Sequence, residues 1–223
     1  MKLFIIATPI GNLSDLTARA VETFKEVDAI LCEDTRVTLR ILNHLNLKKP
    51  LVSFHQHSDD RKFRDVLEMM REGKSLGLVT DAGTPGISDP GGLLVAAAVK
   101  EFGKELEVIP IPGACAAIAA LSISGFPTDK FLFLGFPPHK KGRKAYFDRV
   151  AMVAETVCFY ESTHRILKTL KELGAVIGDR QLVVCRELTK LHETTYRGTA
   201  YEVTELLKKS SIKGEFVVVV SAR

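Results

Sequence analysis

The stretch LVTDAGTPGISDPGG, residues 78–92, decides how this sequence is read. An apolar run ending at Val79 breaks into a segment, Asp81 to Gly92, that holds four glycines, two prolines and two aspartates, and an apolar helical pattern from Leu93 to Val99 begins at once. Gly83 and Gly86 permit backbone angles that other residues avoid and let main chain approach a ligand, while Pro85 and Pro90 stiffen the segment. Asp81 and Asp89 add acceptors. A turn with helix-capping aspartates accounts for Asp89 but not for so much glycine and proline, so the segment is expected to bind a ligand. A strand that ends this way and returns as a helix is the repeating unit of a parallel sheet, whose ligands lie beyond the carboxyl ends of its strands.

The same alternation runs outward from this stretch. LFIIAT is followed by a helical pattern over Ser14–Lys25, AILCE by Thr35–Leu45, LVSF by Asp60–Arg71, LGLVT by Leu93–Phe102, and EVIPI closes the series. Gly73 and Gly103 are placed to stop helices, and Ser14 and Asp59 to cap them. These signals predict a parallel, doubly wound α/β domain over residues 1–111. A second α/β domain, 112–223, follows a link at Pro110–Gly113. It reads as FLFLGF, a helix from Lys140, TVCFYE, a helix from Thr163 stopped by Gly174, QLVVCRE, a helix near Val203–Lys209 and a last strand EFVVVVSA. HETTYRGTAYEV alternates polar and apolar, which predicts antiparallel pairing and hence a mixed sheet. No long linker separates the halves, and a shared ligand cleft between them is expected.

Composition excludes several classes. With 223 residues, 46% hydrophobic and 26% charged, the chain is an ordinary folded protein. Its net charge of +4 fits an anionic partner without requiring one. Most of the local excess lies in HKKGRKAYFDR, residues 139–149, with a second cluster at Arg61, Lys62 and Arg64. Cys32, Cys115, Cys158 and Cys185 stand far apart in or beside apolar runs, which reads as reduced thiols in the cytoplasm, with no metal site and no disulfide framework. Val108–Thr128 carries no charge, yet prolines and glycines bracket it down to a short Ala-rich helix, so a buried helix is expected there and no membrane span.

Two further strand ends share the habit of the first: TPIGN, residues 8–12, and PIPGACA, residues 110–116. No GxGxxG opens a helix and no GxxxxGK[ST] occurs, so a ligand here is cradled by main chain and not gripped by its phosphates. Polar clusters mark other strand ends: EDTR (33–36), SFHQH (53–57), YESTHR (160–165) and RELTKLHE (186–193). Singly, each suits caps and satisfied core histidines. Together, at corresponding strand ends, they outline a site.

Taken in order, TPIGNLSDLTARA, EDTR, SFHQH, TDAGTPGISDPG, PIPGACA, FLGFPP, YESTHRI and RELTKLHETTYRG span nearly the whole chain. The ensemble resembles the tetrapyrrole-methylase-like (class III) S-adenosylmethionine methyltransferases, and within them the group that methylates small-subunit ribosomal RNA. Porphyrin- and corrin-methylating relatives carry a GDP-type motif where this sequence has Gly83, Thr84 and Pro85. The resemblance implies two α/β domains, a homodimer, a folded S-adenosylmethionine lying between domains, and 2′-O-methylation of a cytidine ribose in 16S rRNA, free or in the 30S subunit. Carried over by motif, the cofactor contacts are Pro9, Ile10, Gly83, Thr84, Ile87, Asp89, Gly113, Ala114, Tyr160, Arg186 and Glu215. Two departures stand out. Thr163 occupies the place of a proline in the group's ESPHR motif, and many members continue past the last strand into a helical extension, which this sequence lacks; RNA contact is therefore expected in the main body.

Methyl transfer to a ribose hydroxyl needs alignment and a path for the proton. Glu33, Asp34, His55, Glu187, Lys190 and His192 are the candidates for that path. A neutral Lys190 would need its pKa depressed, which the nearby charge of Arg186 favours, whereas Glu187 accepts a proton without such help. The RELTKLHE loop is preferred, with Glu187 and Lys190 as catalytic residues. Arg36, Lys140, Lys141, Arg143, Lys144 and Arg165 are assigned to RNA phosphates. A rival from another class, a hydrolase using Cys115 at a helix start, lacks the glycine that a nucleophile turn places two residues on. A bare RNA-binding module leaves the glycine-rich loops without a purpose.

Overall fold

The computed structural model describes residues 1–55, 60–89 and 91–223. The expected cap Asp59, the His57 end of SFHQH and Pro90 lie outside the described residues. The chain divides into two compact units, Met1–Cys115 and Ala116–Arg223.

In the first unit β1 (Lys2–Ile6), β2 (Ala29–Cys32), β3 (Leu51–Ser53), β4 (Leu76–Leu78) and β5 (Glu107–Ile111) form one sheet in the order β3-β2-β4-β1-β5. Every pairing is parallel. Period-2 alternation sends successive side chains to opposite faces. Phe4, Ile6, Ile30 and Cys32 meet Phe24 of α1 (Ala18–Glu26) and Ile41 and Leu42 of α2 (Thr35–His44). Leu3, Leu31, Leu76 and Leu78 meet Val66 and Met70 of α3 (Asp60–Arg71) and Leu94 and Ala98 of α4 (Gly91–Phe102). Both faces are covered, as the doubly wound reading requires, and each fully buried Leu, Ile or Phe stabilises the unit by about 1.5–3 kcal/mol. One boundary differs from expectation. Ser14 caps nothing: the Asn12 side chain accepts from its amide in a single 3-10 turn, and α1 starts later because Thr17 accepts from Ala20 N.

The second unit places β6 (Phe131–Phe133), β7 (Thr156–Ser162), β8 (Leu182–Arg186), β9 (Thr194–Gly198) and β10 (Glu215–Val220) in the order β6-β7-β10-β8-β9. Only β6 and β7 run parallel. β10 is central because EFVVVV is apolar on both faces. Phe216, Val218 and Val220 join the core under α6 (Arg143–Met152), α7 (Ile166–Ile177) and α8 (Ala200–Lys209), while α5 (Ala116–Ser122) lies against β7 and β10. None of the described helices is long and apolar enough to cross a membrane.

Gly174 does not stop α7, which runs on to Ile177 and ends at Gly178. A Cβ at Gly174 would lie 2.9 Å from Ala200 Cβ, so the glycine is where α7 and α8 touch. Helix propensity alone predicts that Gly174→Ala stabilises by about 1 kcal/mol. Because both clashing carbons are fixed to backbone, the substitution is expected instead to destabilise the protein by about 1–3 kcal/mol in urea unfolding; a gain in stability would refute the contact.

Candidate active site

Because β4, β1 and β5 are neighbours, the loops that leave their carboxyl ends lie side by side. Thr8 and Gly83 exchange backbone hydrogen bonds, Thr8 N to Gly83 O at 2.9 Å and Gly83 N to Thr8 O at 3.1 Å. The Thr8 hydroxyl donates to Thr80 O at 3.0 Å. Gly83 has φ +94°, a region costly for any residue with a Cβ. Thr84 Oγ1 donates to Ala114 O at 3.0 Å, which ties the second loop to the third. The third approaches the first so closely that a Cβ on Gly113 would lie 2.8 Å from Ala7 Cβ. Pro9, Ile10, Gly83, Thr84, Gly113 and Ala114 are thus brought together by main chain.

Asp89 and Ile87 take different parts in the same loop. The Asp89 carboxylate accepts from Gly86 N at 2.8 Å and from Gly91 N at 2.7 Å. It closes the loop onto the start of α4. Ile87 is 44% exposed, an apolar side chain offered to solvent. On the neighbouring strand ends, Thr80 Oγ1 donates to Glu33, Asp81 Oδ1 accepts from Asp34 N at 3.0 Å, and Arg36 grips Asp34 with Nη2–Oδ2 at 2.6 Å. The hydrogen bonds from Arg36 hold the Asp34 carboxyl down at about 2. Arg36, the expected phosphate contact, is exposed and already carries one carboxylate.

In the second unit, Tyr160 accepts from Ala117 N at 3.2 Å and stands edge-on between Phe133 and Phe136. Arg186 is buried: Nε donates to Lys213 O at 2.6 Å and Nη1 to His192 O at 3.1 Å. Around it the RELTK loop holds two non-glycine residues at positive φ, Glu187 at 54° and Thr189 at 66°, and such strain persists only where surrounding contacts impose it. Here Glu187 N donates to Glu215 O, Glu215 N returns a bond to Glu187 Oε1, each at 2.9 Å, and Lys190 Nζ bridges Glu187 at 2.9 Å and Glu215 at 2.8 Å. Gly214 completes the fit, since its Cβ would lie 2.6 Å from Glu187 Cγ, and Thr163 Oγ1 donates to Gly214 O at 2.6 Å while accepting from Gly214 N at 2.8 Å.

These contacts correct the proton chemistry. Burial alone would lower the Lys190 pKa, but the hydrogen bonds to Glu215 and Glu187 outweigh it and hold Lys190 above its usual value. Arg186 does not make Lys190 a neutral base. For Glu187, burial works to raise the pKa, yet the Glu215 amide and Lys190 together leave it below the usual carboxylate range. At neutral pH Glu187 is therefore ionised against the Lys190 ammonium, which also meets Glu215.

Two RNA assignments change as well. Arg143 is 6% exposed, not a surface cation. Its Nε meets Glu172 at 2.6 Å, Nη2 donates to Thr169 Oγ1 at 2.6 Å and Nη1 to Pro138 O at 3.1 Å. Arg165 pairs with the fully buried Glu161 at 2.8 Å and donates to Pro137 O at 2.8 Å. Both serve the interior of the unit, because a buried guanidinium must be paired. Lys140 and Lys141 remain exposed, and Lys144 pairs with Asp148 at 2.9 Å. Cys32, Cys158 and Cys185 are buried and in no disulfide, and burial pushes Cys185 up to about 11. The sequence reading passed over Thr8, whose hydroxyl and backbone lock two loops, and the Thr163–Gly214 clasp. The only sequence signal for the clasp is the lone glycine in SIKGEF.

Comparison with known proteins places this arrangement. The chain is 45% identical over 219 residues to the ribosomal RNA small subunit methyltransferase I of Halalkalibacterium halodurans, covering 98% of this chain and 75% of that one. It is 42% identical over 222 residues to the protein of the same name from Thermotoga maritima, covering 100% and 99%. The structure of uroporphyrin-III C-methyl transferase from Thermus thermophilus, complexed with S-adenyl homocysteine, superposes with a TM-score of 0.68 at 17% identity, covering 99% and 97%. The profile described as Tetrapyrrole (Corrin/Porphyrin) Methylases matches residues 2–204. By the order of its strands, the glycine-rich loops they carry and this match, the chain belongs to the tetrapyrrole methylase family.

Proposed function

We propose that this chain is an S-adenosylmethionine-dependent methyltransferase of small-subunit ribosomal RNA that methylates the 2′-hydroxyl of a cytidine ribose in 16S rRNA, working as a homodimer. The observation that carries the reading is the main-chain cradle at the ends of β1, β4 and β5, seen in a chain matched over 98–100% of its own length by relatives that bear an rRNA methyltransferase name. The residues present fit the cofactor: Gly83, at φ +94°, and Gly113, pressed against Ala7, let the three loops close side by side, the loops offer backbone polar groups, and Ile87 supplies apolar surface. No phosphate-gripping lysine is needed for such a ligand.

Pro9, Ile10, Gly83, Thr84, Ile87, Gly113 and Ala114 would hold the cofactor, with Asp89 acting through the loop it closes. The resemblance adds Tyr160, Arg186 and Glu215. When bound, S-adenosylmethionine supplies an electrophilic methyl group. What this chain's residues must do is hold the acceptor in line, worth several kcal/mol, and remove one proton from the ribose hydroxyl. Glu187 is the assigned acceptor of that proton, being ionised across the neutral range, and Lys190 fixes the carboxylate's direction. Lys140, Lys141 and Lys144 are assigned to phosphates, with Arg36 free to exchange Asp34 for one.

Incubation with methyl-labelled S-adenosylmethionine and 30S subunits or naked 16S rRNA should place label on a cytidine ribose of the RNA. Label in protein alone, or none in RNA, would overturn the reading. Gly83→Val should abolish binding of S-adenosylhomocysteine in calorimetry while circular dichroism stays native, because a branched residue at φ +94° distorts the cradle; unchanged affinity would remove Gly83 from the cofactor site. The third expectation concerns pH. Glu187 is held below its usual pKa, so the stability it adds is complete above the unfolded value of about 4.3 and disappears as pH falls through the lower folded value. Glu187→Gln should therefore melt about 2–4 °C below the parent at pH 7, for a loss of about 1 kcal/mol. The two curves should converge in strong acid. A gap that persists there would mean the ion trio is not what holds the loop.

A further inference from the structure

The loop that follows β6, LGFPPHKKG, is unusual in how firmly it is held and what it exposes. Tyr160 N donates to Gly135 O at 2.9 Å, and Gly135 sits at φ +60°. Two arginines then grip successive carbonyls, Arg165 that of Pro137 and Arg143 that of Pro138. Pro137 is buried, and the prolines remove backbone freedom. Directly before this clamped pair, Phe136 keeps 51% of its surface in water and stands edge-on to Tyr160 at 5.4 Å. Beyond His139 come exposed Lys140 and Lys141, neither with a carboxylate partner among the described residues.

A single exposed apolar side chain is ordinary on a protein surface. A rigid one is not. Two guanidiniums and a carboxylate taken out of water are costly to bury, and here the arginines hold the carbonyls next to the ring. Fixing the backbone beside the ring in advance removes part of the ordering cost of a contact made later. An aromatic face flanked by unpaired lysines has the chemistry of a single-stranded nucleic acid platform, in which a base stacks and phosphates meet the cations.

We propose that Phe136, with Lys140 and Lys141, is the docking point for an unpaired nucleotide of the RNA substrate, its base stacked on the ring and its flanking phosphates on the lysines. The proposal rests on the rRNA reading above and adds a specificity-determining residue to it. Phe136 packs edge-on against Tyr160, a residue assigned to the cofactor.

The test uses the intact protein with 30S subunits. Phe136→Ala should raise KM for the RNA substrate about tenfold, with the affinity for S-adenosylhomocysteine unchanged, and Phe136→Trp should restore KM. Lys140→Gln with Lys141→Gln should flatten the salt dependence of RNA binding by up to about 0.7 per lost phosphate contact. Parent-like KM in Phe136→Ala, or failure of Trp to restore it, overturns the platform while leaving the methyltransferase reading intact. So does a Phe136→Ala protein that sediments as a smaller species than the parent, which would make the ring a contact between copies of this chain. A parent protein that neither binds nor methylates RNA overturns both.

Discussion

The paired hydrogen bonds between Thr8 and Gly83 are the constraint on which the first unit's chemistry depends. They exist only because Gly83 takes a positive φ and because β4 has been inserted beside β1 in the sheet. Through them the end of β1 and the long loop after β4 become one rigid body, and the Thr84–Ala114 bond adds the end of β5. Loops so joined lose little further entropy when a ligand arrives. The glycines therefore serve two ends, closing the protein on itself and leaving the backbone bare.

The second unit solves a similar problem with charge. Glu161, fully buried, sits between two guanidiniums and a threonine hydroxyl, and the arginines pass its influence on to the Pro137 and Pro138 carbonyls. Buried ions add little net stability compared with apolar packing, but each partner becomes hard to remove once the others are in place. The RELTK loop follows the same logic nearer to water, with Lys190 between two carboxylates, and there the charges fix two residues in left-handed backbone.

The strand and helix alternation was legible because both periods are strong in this chain: apolar strand runs such as AILC and EFVVVV cannot be mistaken for surface, and Gly73 and Gly103 follow the ends of α3 and α4. Gly174 misled because a glycine that stops a helix and one that lets two helices touch look alike in sequence. The glycine-rich loops were visible from composition, but not the way β4 sets them side by side, which is a long-range property of strand order. Arg143 shows the limit most clearly. Within HKKGRK it is one basic residue among several, and only the helical turn that faces Glu172 and Thr169 separates it from its exposed neighbours.

Strand order in the second sheet has a consequence for how the protein is made. β10 alone joins the β6–β7 pair to the β8–β9 pair, and it is the last of these five strands to leave the ribosome. The first unit, parallel and contiguous over Met1–Cys115, has all its strands early. The second must wait as two separate ribbons, with the backbone edges of β7 and β8 unpaired, until Phe216 to Val220 emerge. Synthesis at about 5–20 residues per second makes this interval a matter of seconds, during which the half-built sheet is the part of the chain most exposed to misassociation.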